Sequence, residues 1–362
     1  MGAVLRTERV NPVATRRKMV RVLIVDDSLT VRTVFTRMLQ REDDIRIVAT
    51  ANTAERGLEE LAAQDVDVVM LDLEMPGMGG IEALPKILKT APKTQVLVIS
   101  SLTADGARHT VQALSLGAAD TMLKPRPGGF NDDYRATLLG KIRALAGVDA
   151  PSPVSPSTLA AAPRRTGKRA QVVAIGASTG GIHALNLFLR QVPKSFDLPI
   201  LITQHLPDSF IPVFAKQMEM AANRPAVLAD EGVEIRRGHI IIAPGHGHMV
   251  VRKSGGRHVT GLAYHPVKSG CMPSVDPMFE TLAEAYDGQV AAVLLSGMGR
   301  DGTDGAQAIA AAGGTIFAQS AETCAVWGMP RAVTEMGLAA AVLPPGELAE
   351  KVLASAGAGA WA

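Results

Sequence analysis

Two stretches of the chain alternate short apolar runs with helically spaced ones. Between residues 20 and 146, apolar runs at 20–25, 66–71, 95–99 and 121–123 read as buried strands. Helical spacing fills the gaps, as over 31–40, 54–63 and 106–116. Strand–helix alternation of this kind predicts a parallel sheet with helices on both faces. The pattern breaks at 147–169, where a Pro/Ser-rich run (150–157) is followed by a basic one (164–169), and this reads as a semi-stiff linker. A second series opens at 171–176 and continues through 199–203, 239–242, 290–295 and 315–318. The expected organisation is a basic tail (1–19), an α/β domain (20–146), a linker (147–169) and a second α/β domain (170–355), both domains being doubly wound parallel sheets.

Composition narrows the partners. A chain of 362 residues is comfortable for two domains, and a net charge of +2 implies no charge-driven nucleic-acid or membrane partner. Two cysteines, Cys271 and Cys324, make no disulfide framework, which fits a reduced cytoplasmic protein, and no apolar run reaches membrane-spanning length. The first nineteen residues are basic and lack the apolar core of a signal peptide. They read either as a disordered tail or as translation from an upstream start, because Met19 directly precedes the first strand.

The second domain opens with a proposal for chemistry. The strand Val172-Val173-Ala174-Ile175 runs into Gly176-Ala177-Ser178-Thr179-Gly180 and then a helical segment, the Gly-x-Ser-x-Gly pattern of a nucleophile elbow. Small neighbours let the backbone turn sharply and lift the serine hydroxyl clear of the sheet. The helix amino end can stabilise a developing oxyanion, although such turns also cradle phosphates. A serine needs a base, and His205 follows a strand at the same sheet edge if the strands are parallel. His239 lies at the wrong end of its strand, and His246 with His248 make only a weak metal signal. Asp301, in a glycine-rich loop after another strand, is the candidate orienting acid, with Asp276 and Asp304 as rivals. A dehydrogenase reading competes, from the glycine turn and Tyr264-x-x-x-Lys268. Pro266 breaks the helix that this pair needs, and the third cofactor glycine falls on Ile182.

The first domain places acids at strand ends. Asp26 and Asp27 follow the first strand, Asp72 ends another, Ser100 ends a third and Lys124 follows the last. In a doubly wound sheet these ends share one crevice, and clustered carboxylates there suit Mg²⁺.

With Asp26-Asp27, Leu71-Asp72-Leu73-Glu74-Met75-Pro76, Ser100-Ser101 and Lys124-Pro125 in place, this domain resembles a response-regulator receiver, of flavodoxin-like fold. The resemblance implies phosphorylation at Asp72 and Mg²⁺ held by Asp27, Asp72 and the Glu74 carbonyl, with Asp26 supporting. Ser100 and Lys124 would contact the phosphoryl group, and proline permits a cis bond at Lys124–Pro125. The second domain, Rossmann-like, resembles the CheB-type chemotaxis protein-glutamate methylesterases. The matching strings lie at 175–181, 203–207, 242–245, 273–276, 297–302 and 327–330. This implies a Ser178–His205–Asp301 triad, with Thr179 and Met298 beside the nucleophile as oxyanion donors, and no cofactor in this domain. It further implies chemoreceptor methyl esters as substrate, deamidation of receptor glutamines, a chemotaxis histidine kinase as phosphodonor and a monomer. One departure is the Cys271-Met272 pair, where the family usually has a basic residue before Pro273.

Overall fold

The computed structural model describes residues 18–101, 103–125, 129–148 and 168–357. The basic tail and the Pro/Ser-rich linker lie outside the described residues, save for their ends.

The first sheet holds β1 (Val20–Val25), β2 (Ile45–Ala51), β3 (Val68–Asp72), β4 (Gln95–Ser100) and β5 (Asp120–Leu123), all parallel, in the order β2-β1-β3-β4-β5. This is the flavodoxin-like order. Successive strand residues face opposite layers. Leu23, Val25, Val69, Leu71, Val96 and Val98 pack towards α2 (Ala54–Ala63), α3 (Gly80–Thr90) and α4 (Ala104–Leu116). Val22, Ile24, Met70, Leu97 and Ile99 pack towards α1 (Leu29–Leu39) and α5 (Asp132–Leu145). Each fully buried side chain of this kind contributes roughly 1.5–3 kcal/mol. Polar residues punctuate the helices. Ser28 and Thr103 cap α1 and α4, and Gly117 ends α4 in the left-handed region at φ 115°.

The second sheet contains β6 (Val172–Ala177), β7 (Ile200–Gln204), β8 (Ala226–Leu228), β9 (Ile240–Ile242), β12 (Val290–Leu294), β13 (Thr315–Gln319) and β14 (Ala339–Leu343). Between β9 and β12 stands a separate antiparallel hairpin, β10 (His248–Ser254) and β11 (Arg257–Ala263). The seven-stranded sheet is parallel, in the order β14-β13-β12-β6-β7-β9-β8. It carries α6 (Gly181–Leu189), α7 (Ile211–Ala222), α8 (Val275–Ala285), α9 (Thr303–Ala311), α10 (Met329–Glu335) and α11 (Pro345–Ser355). The chain builds outward from β6 to β7 and β9, then returns to lay β12 on the other side of β6. The strand direction of growth therefore reverses between β6 and β12, the place where open α/β sheets bind ligands.

The two sheets are joined by packing. One buried apolar cluster includes Val111 and Leu114 of α4 together with Ile182 of α6 and Phe210 and Phe214 near α7. No helix among the described residues is long and apolar enough to cross a membrane.

Candidate active site

Ser178 follows β6, His205 follows β7 and Asp301 lies in the loop after β12, so the reversal point brings all three to one sheet edge. The Ser178 Oγ stands 3.1 Å from His205 Nδ1, and His205 Nε2 stands 2.7 Å from Asp301 Oδ2. For Nδ1 to accept a proton from serine, Nε2 must carry the hydrogen and donate it to Asp301. The turn that presents Ser178 has small residues for steric reasons. Gly180 sits at φ 78°, and a Cβ there would meet Ser296 Oγ at 2.6 Å. Gly297 lies so close that its own Cβ would come 2.8 Å from Ser178 Cβ.

Asp301 is almost fully buried and accepts from the Ser274 hydroxyl at 2.6 Å and from the Val275 N–H at 2.7 Å. Burial works against its charge, but the bond to His205 and these donors outweigh it and hold the carboxyl well below the usual range. Burial also opposes a charged imidazole. The bond to Asp301 and then the neighbouring Cys271 outweigh it and raise the His205 pKa. Thr179 begins the turn into α6, and Met298 lies exposed on the loop that carries Gly297.

The rival groups are placed elsewhere. Asp276 accepts from Gly305 N at 2.8 Å, and burial, with Asp301 nearby, pushes its carboxyl up. Asp304 pairs with Lys268 at 2.5 Å, while Tyr264 is exposed, so the Tyr-x-x-x-Lys pair sits in a loop beyond β11 rather than on a helix. His246 bonds Asp208, and His248 bonds the His265 carbonyl and the Ser274 N–H, so the His-x-His pair does not converge on one point. His239 stands at the amino end of β9. Sequence reasoning missed Ser274, Gln204 and Ser296. Gln204 Nε2 holds the Ser178 carbonyl at 2.9 Å, and the Ser296 carbonyl accepts from Ser178 N at 3.0 Å. Ser274 lies in the matching string 273–276, and that was its only signal.

A second polar cluster lies at the carboxyl edge of the first sheet. Lys124 Nζ stands 2.6 Å from Asp72 Oδ2 and 3.1 Å from Asp26 Oδ2. Asp26 and Asp72 are buried and Asp27 is exposed, and the three offer carboxylate oxygens within 4.8 Å of one another. Apart from Lys124, Asp26 Oδ2 has no hydrogen-bond partner among the described residues. Burial and, after it, the Asp26 charge outweigh Lys124 and push Asp72 up to about 6. The Glu74 N–H donates to Asp72 Oδ1 at 3.1 Å. Ser100 Oγ accepts from Thr110 Oγ1 of α4 at 2.5 Å. The Lys124–Pro125 bond is trans, and the cis bond among the described residues is Met272–Pro273.

The two sites are linked through the domain contact. Thr179 Oγ1 donates to Asp120 Oδ2 at 2.7 Å, and Gly180 N donates to the Ala119 carbonyl at 2.6 Å. Asn186 Nδ2 donates to Ser115 Oγ at 3.2 Å, and His183 Nδ1 lies 3.1 Å from the Ser115 carbonyl. The end of α4 and the start of β5 thus lie directly on the turn that carries Ser178.

Residues 22–129 match the response regulator receiver domain, and residues 173–352 match the CheB methylesterase family. A Caulobacter vibrioides protein named protein-glutamate methylesterase/protein-glutamine glutaminase 2 is 44% identical, over 90% of this chain and 95% of its own. A Rhodospirillum rubrum protein of the same name, numbered 1, is 38% identical over 93% of this chain and 95% of its own. The crystal structure of the Thermotoga maritima CheB methylesterase catalytic domain aligns with 36% identity and a TM-score of 0.50, over 51% of this chain and 98% of that one. Receiver and esterase matches in tandem, with relatives similar along nearly their whole length, place the chain in the CheB family of response-regulator protein-glutamate methylesterases.

Proposed function

We propose that the chain is a phosphorylation-activated serine hydrolase that demethylates glutamyl side chains of chemoreceptors and deamidates certain glutamines. Its parts are a receiver (20–146), a linker (147–169) and a catalytic domain (170–355), working as a cytoplasmic monomer. The observation that carries this reading is the hydrogen-bonded line Ser178–His205–Asp301 at the sheet's reversal point.

The chemistry follows from that line. His205 takes the Ser178 proton at Nδ1 as the serine oxygen attacks the ester carbonyl. Asp301 stabilises the imidazolium through Nε2, and its bonds from Ser274 and Val275 keep it fixed and ionised. The main-chain N–H groups of Thr179 and Met298, at the amino end of α6 and beside Ser178, are the donors for the oxyanion. His205 returns the proton to the leaving methanol, or to ammonia in deamidation. Water activated by the same imidazole then releases the glutamate. No step calls on a cofactor.

Asp72 is the phosphoryl acceptor, with a chemotaxis histidine kinase as donor. The Asp26 oxygen that meets Lys124 alone lies within a cluster of hard carboxylates that fits Mg²⁺, which Asp27, Asp72 and the Glu74 carbonyl would hold. When bound, the ion neutralises charge on the transferring phosphoryl group. Lys124 is already seated against Asp72. Ser100 would leave Thr110 for the phosphoryl oxygens, and α4, which carries both Thr110 and Ser115, would loosen its hold on α6. The contacts of Asp120 and Ala119 on Thr179 and Gly180 support an inhibitory docking that phosphorylation relieves.

The test is methanol release from methylated chemoreceptor membranes, with and without a small phosphodonor. Wild type should release methanol and respond to the donor, while Ser178→Ala should lose the activity by roughly 10⁴-fold or more. Undiminished release from Ser178→Ala would remove the serine mechanism.

A further inference from the structure

Cys271 takes no part in the esterase chemistry just described, yet it stands against it. Its sulfur, a ring nitrogen of His205 and a carboxylate oxygen of Asp301 all lie within 4.8 Å of one another. We propose that Cys271, His205 and Asp301 form a binding site for a thiophilic divalent cation, Zn²⁺, and that an ion bound there shuts the esterase off. The inhibitory half rests on the triad reading; the metal site itself does not.

The donor set is the reason for naming this ion. A thiolate, an imidazole and a carboxylate are three typical zinc ligands, and a tetrahedral ion needs only a water or substrate oxygen as its fourth. Mg²⁺ and Ca²⁺ prefer all-oxygen shells, so the sulfur excludes them and separates this site from the carboxylates around Asp72. Donors sharing one zinc ion sit about 3–4 Å apart, given bonds of roughly 2.0–2.3 Å, so closure asks for small adjustments of the Cys271 loop and, where Nε2 takes the ion, an opening of the 2.7 Å His205–Asp301 contact.

That loop is anchored in the right place. Three and four residues beyond Cys271, the Ser274 hydroxyl and the Val275 N–H both bind the Asp301 carboxylate, so the backbone carrying the sulfur is tied to a second ligand. The opposite side is open, because Cys271, Met298 and Asp301 line a cavity of about 340 Å³. On binding, the thiol proton and any proton on the imidazole nitrogen that takes the ion leave to water, and a sulfur–zinc and a nitrogen–zinc bond form. Either imidazole nitrogen serves the block. An ion on Nδ1 removes the acceptor of the Ser178 proton, and an ion on Nε2 replaces the hydrogen bond to Asp301.

The test uses the full chain, with excess Mg²⁺ to saturate the receiver carboxylates. Co²⁺ serves as a visible stand-in for Zn²⁺, since thiolate ligation gives a near-ultraviolet charge-transfer band. Wild type and Ser178→Ala should both show the band at one equivalent. Cys271→Ser should lose it and need roughly tenfold or more Zn²⁺ to bind, while Cys324→Ser should keep it. In wild type, Zn²⁺ should suppress methanol release and a chelator should restore it. A wild type without the band, or a band that survives in Cys271→Ser, overturns the site. A band with undiminished methanol release overturns the block. The band is read without substrate, so a failure of the esterase reading leaves the metal test standing.

Discussion

Asp301 shows how one residue's setting decides its use. A carboxylate that is 1% exposed stays charged because three groups attend it: His205, the Ser274 hydroxyl and the Val275 N–H. Ser274→Ala should therefore cost about 1–3 kcal/mol of stability. It should lower kcat roughly tenfold with KM little changed, as expected of a residue whose hydroxyl bonds Asp301. Steady-state kinetics beside a thermal melt will separate the two effects. The raised His205 pKa sets the pH profile. Imidazolium persists above the ordinary 6.5, so the base form accumulates only at higher pH, and the rate should rise with pH through a midpoint above that value. A rate that is already flat by pH 6.5 would contradict this. Asp72 supplies a stability prediction of the opposite kind. Its pKa in the fold, about 6, lies above the ordinary 3.8, so folding favours its protonated form. The stability it contributes is present at low pH and is lost as pH rises through about 6, by up to about 3 kcal/mol. Excess Mg²⁺ should cancel that loss, and melting curves across this range with and without the ion will show whether it does.

Among the elements, those that face two layers were the legible ones. The strands β1, β3, β4, β6, β7 and β12 are buried over almost all of their length and read as mainly apolar runs, so their ends, and the chemistry placed there, could be found from pattern. The passed-over elements broke that rule for physical reasons. At the sheet edge, β2 carries Arg46 and is half exposed, β8 is three residues long, and β14 is an Ala-rich edge strand. Pro85 interrupts the periodicity of α3, and the hairpin β10–β11 belongs to neither parallel sheet. Side-chain partners were legible only where a motif carried them. Nothing in the local pattern around Thr110 announces that it holds Ser100, because that contact depends on how α4 lies against β4. A prediction belongs to this helix. Thr110→Val frees the Ser100 hydroxyl without changing side-chain shape much, and it should raise methanol release in the absence of phosphodonor by several-fold while shrinking the response to the donor. An unchanged ratio of stimulated to basal rate would argue that α4 does not carry the signal.

At the level of the whole molecule, two sheets of different topology meet where one has its turn for Ser178 and the other has the start of β5. Asp120 is the pivot, since its Oδ2 accepts both from Thr179 at 2.7 Å and from Lys141 at 2.6 Å. A fragment beginning at residue 170 should hydrolyse receptor esters faster than the unphosphorylated full chain, and Asp120→Ala should move the full chain part of the way there. Equal rates for fragment and full chain would remove the inhibitory role of the receiver. The contact has one further property. Two of its acceptors, at Ser115 and Ala119, are peptide carbonyls. A peptide carbonyl is present whichever amino acid bears it, so natural variation at these positions can proceed without erasing the grip. Receivers transplanted from relatives should accordingly still quench this catalytic domain. A one-residue insertion between α4 and β5, which shifts the Ala119 carbonyl relative to that of Ser115 while keeping every side chain, should not be tolerated.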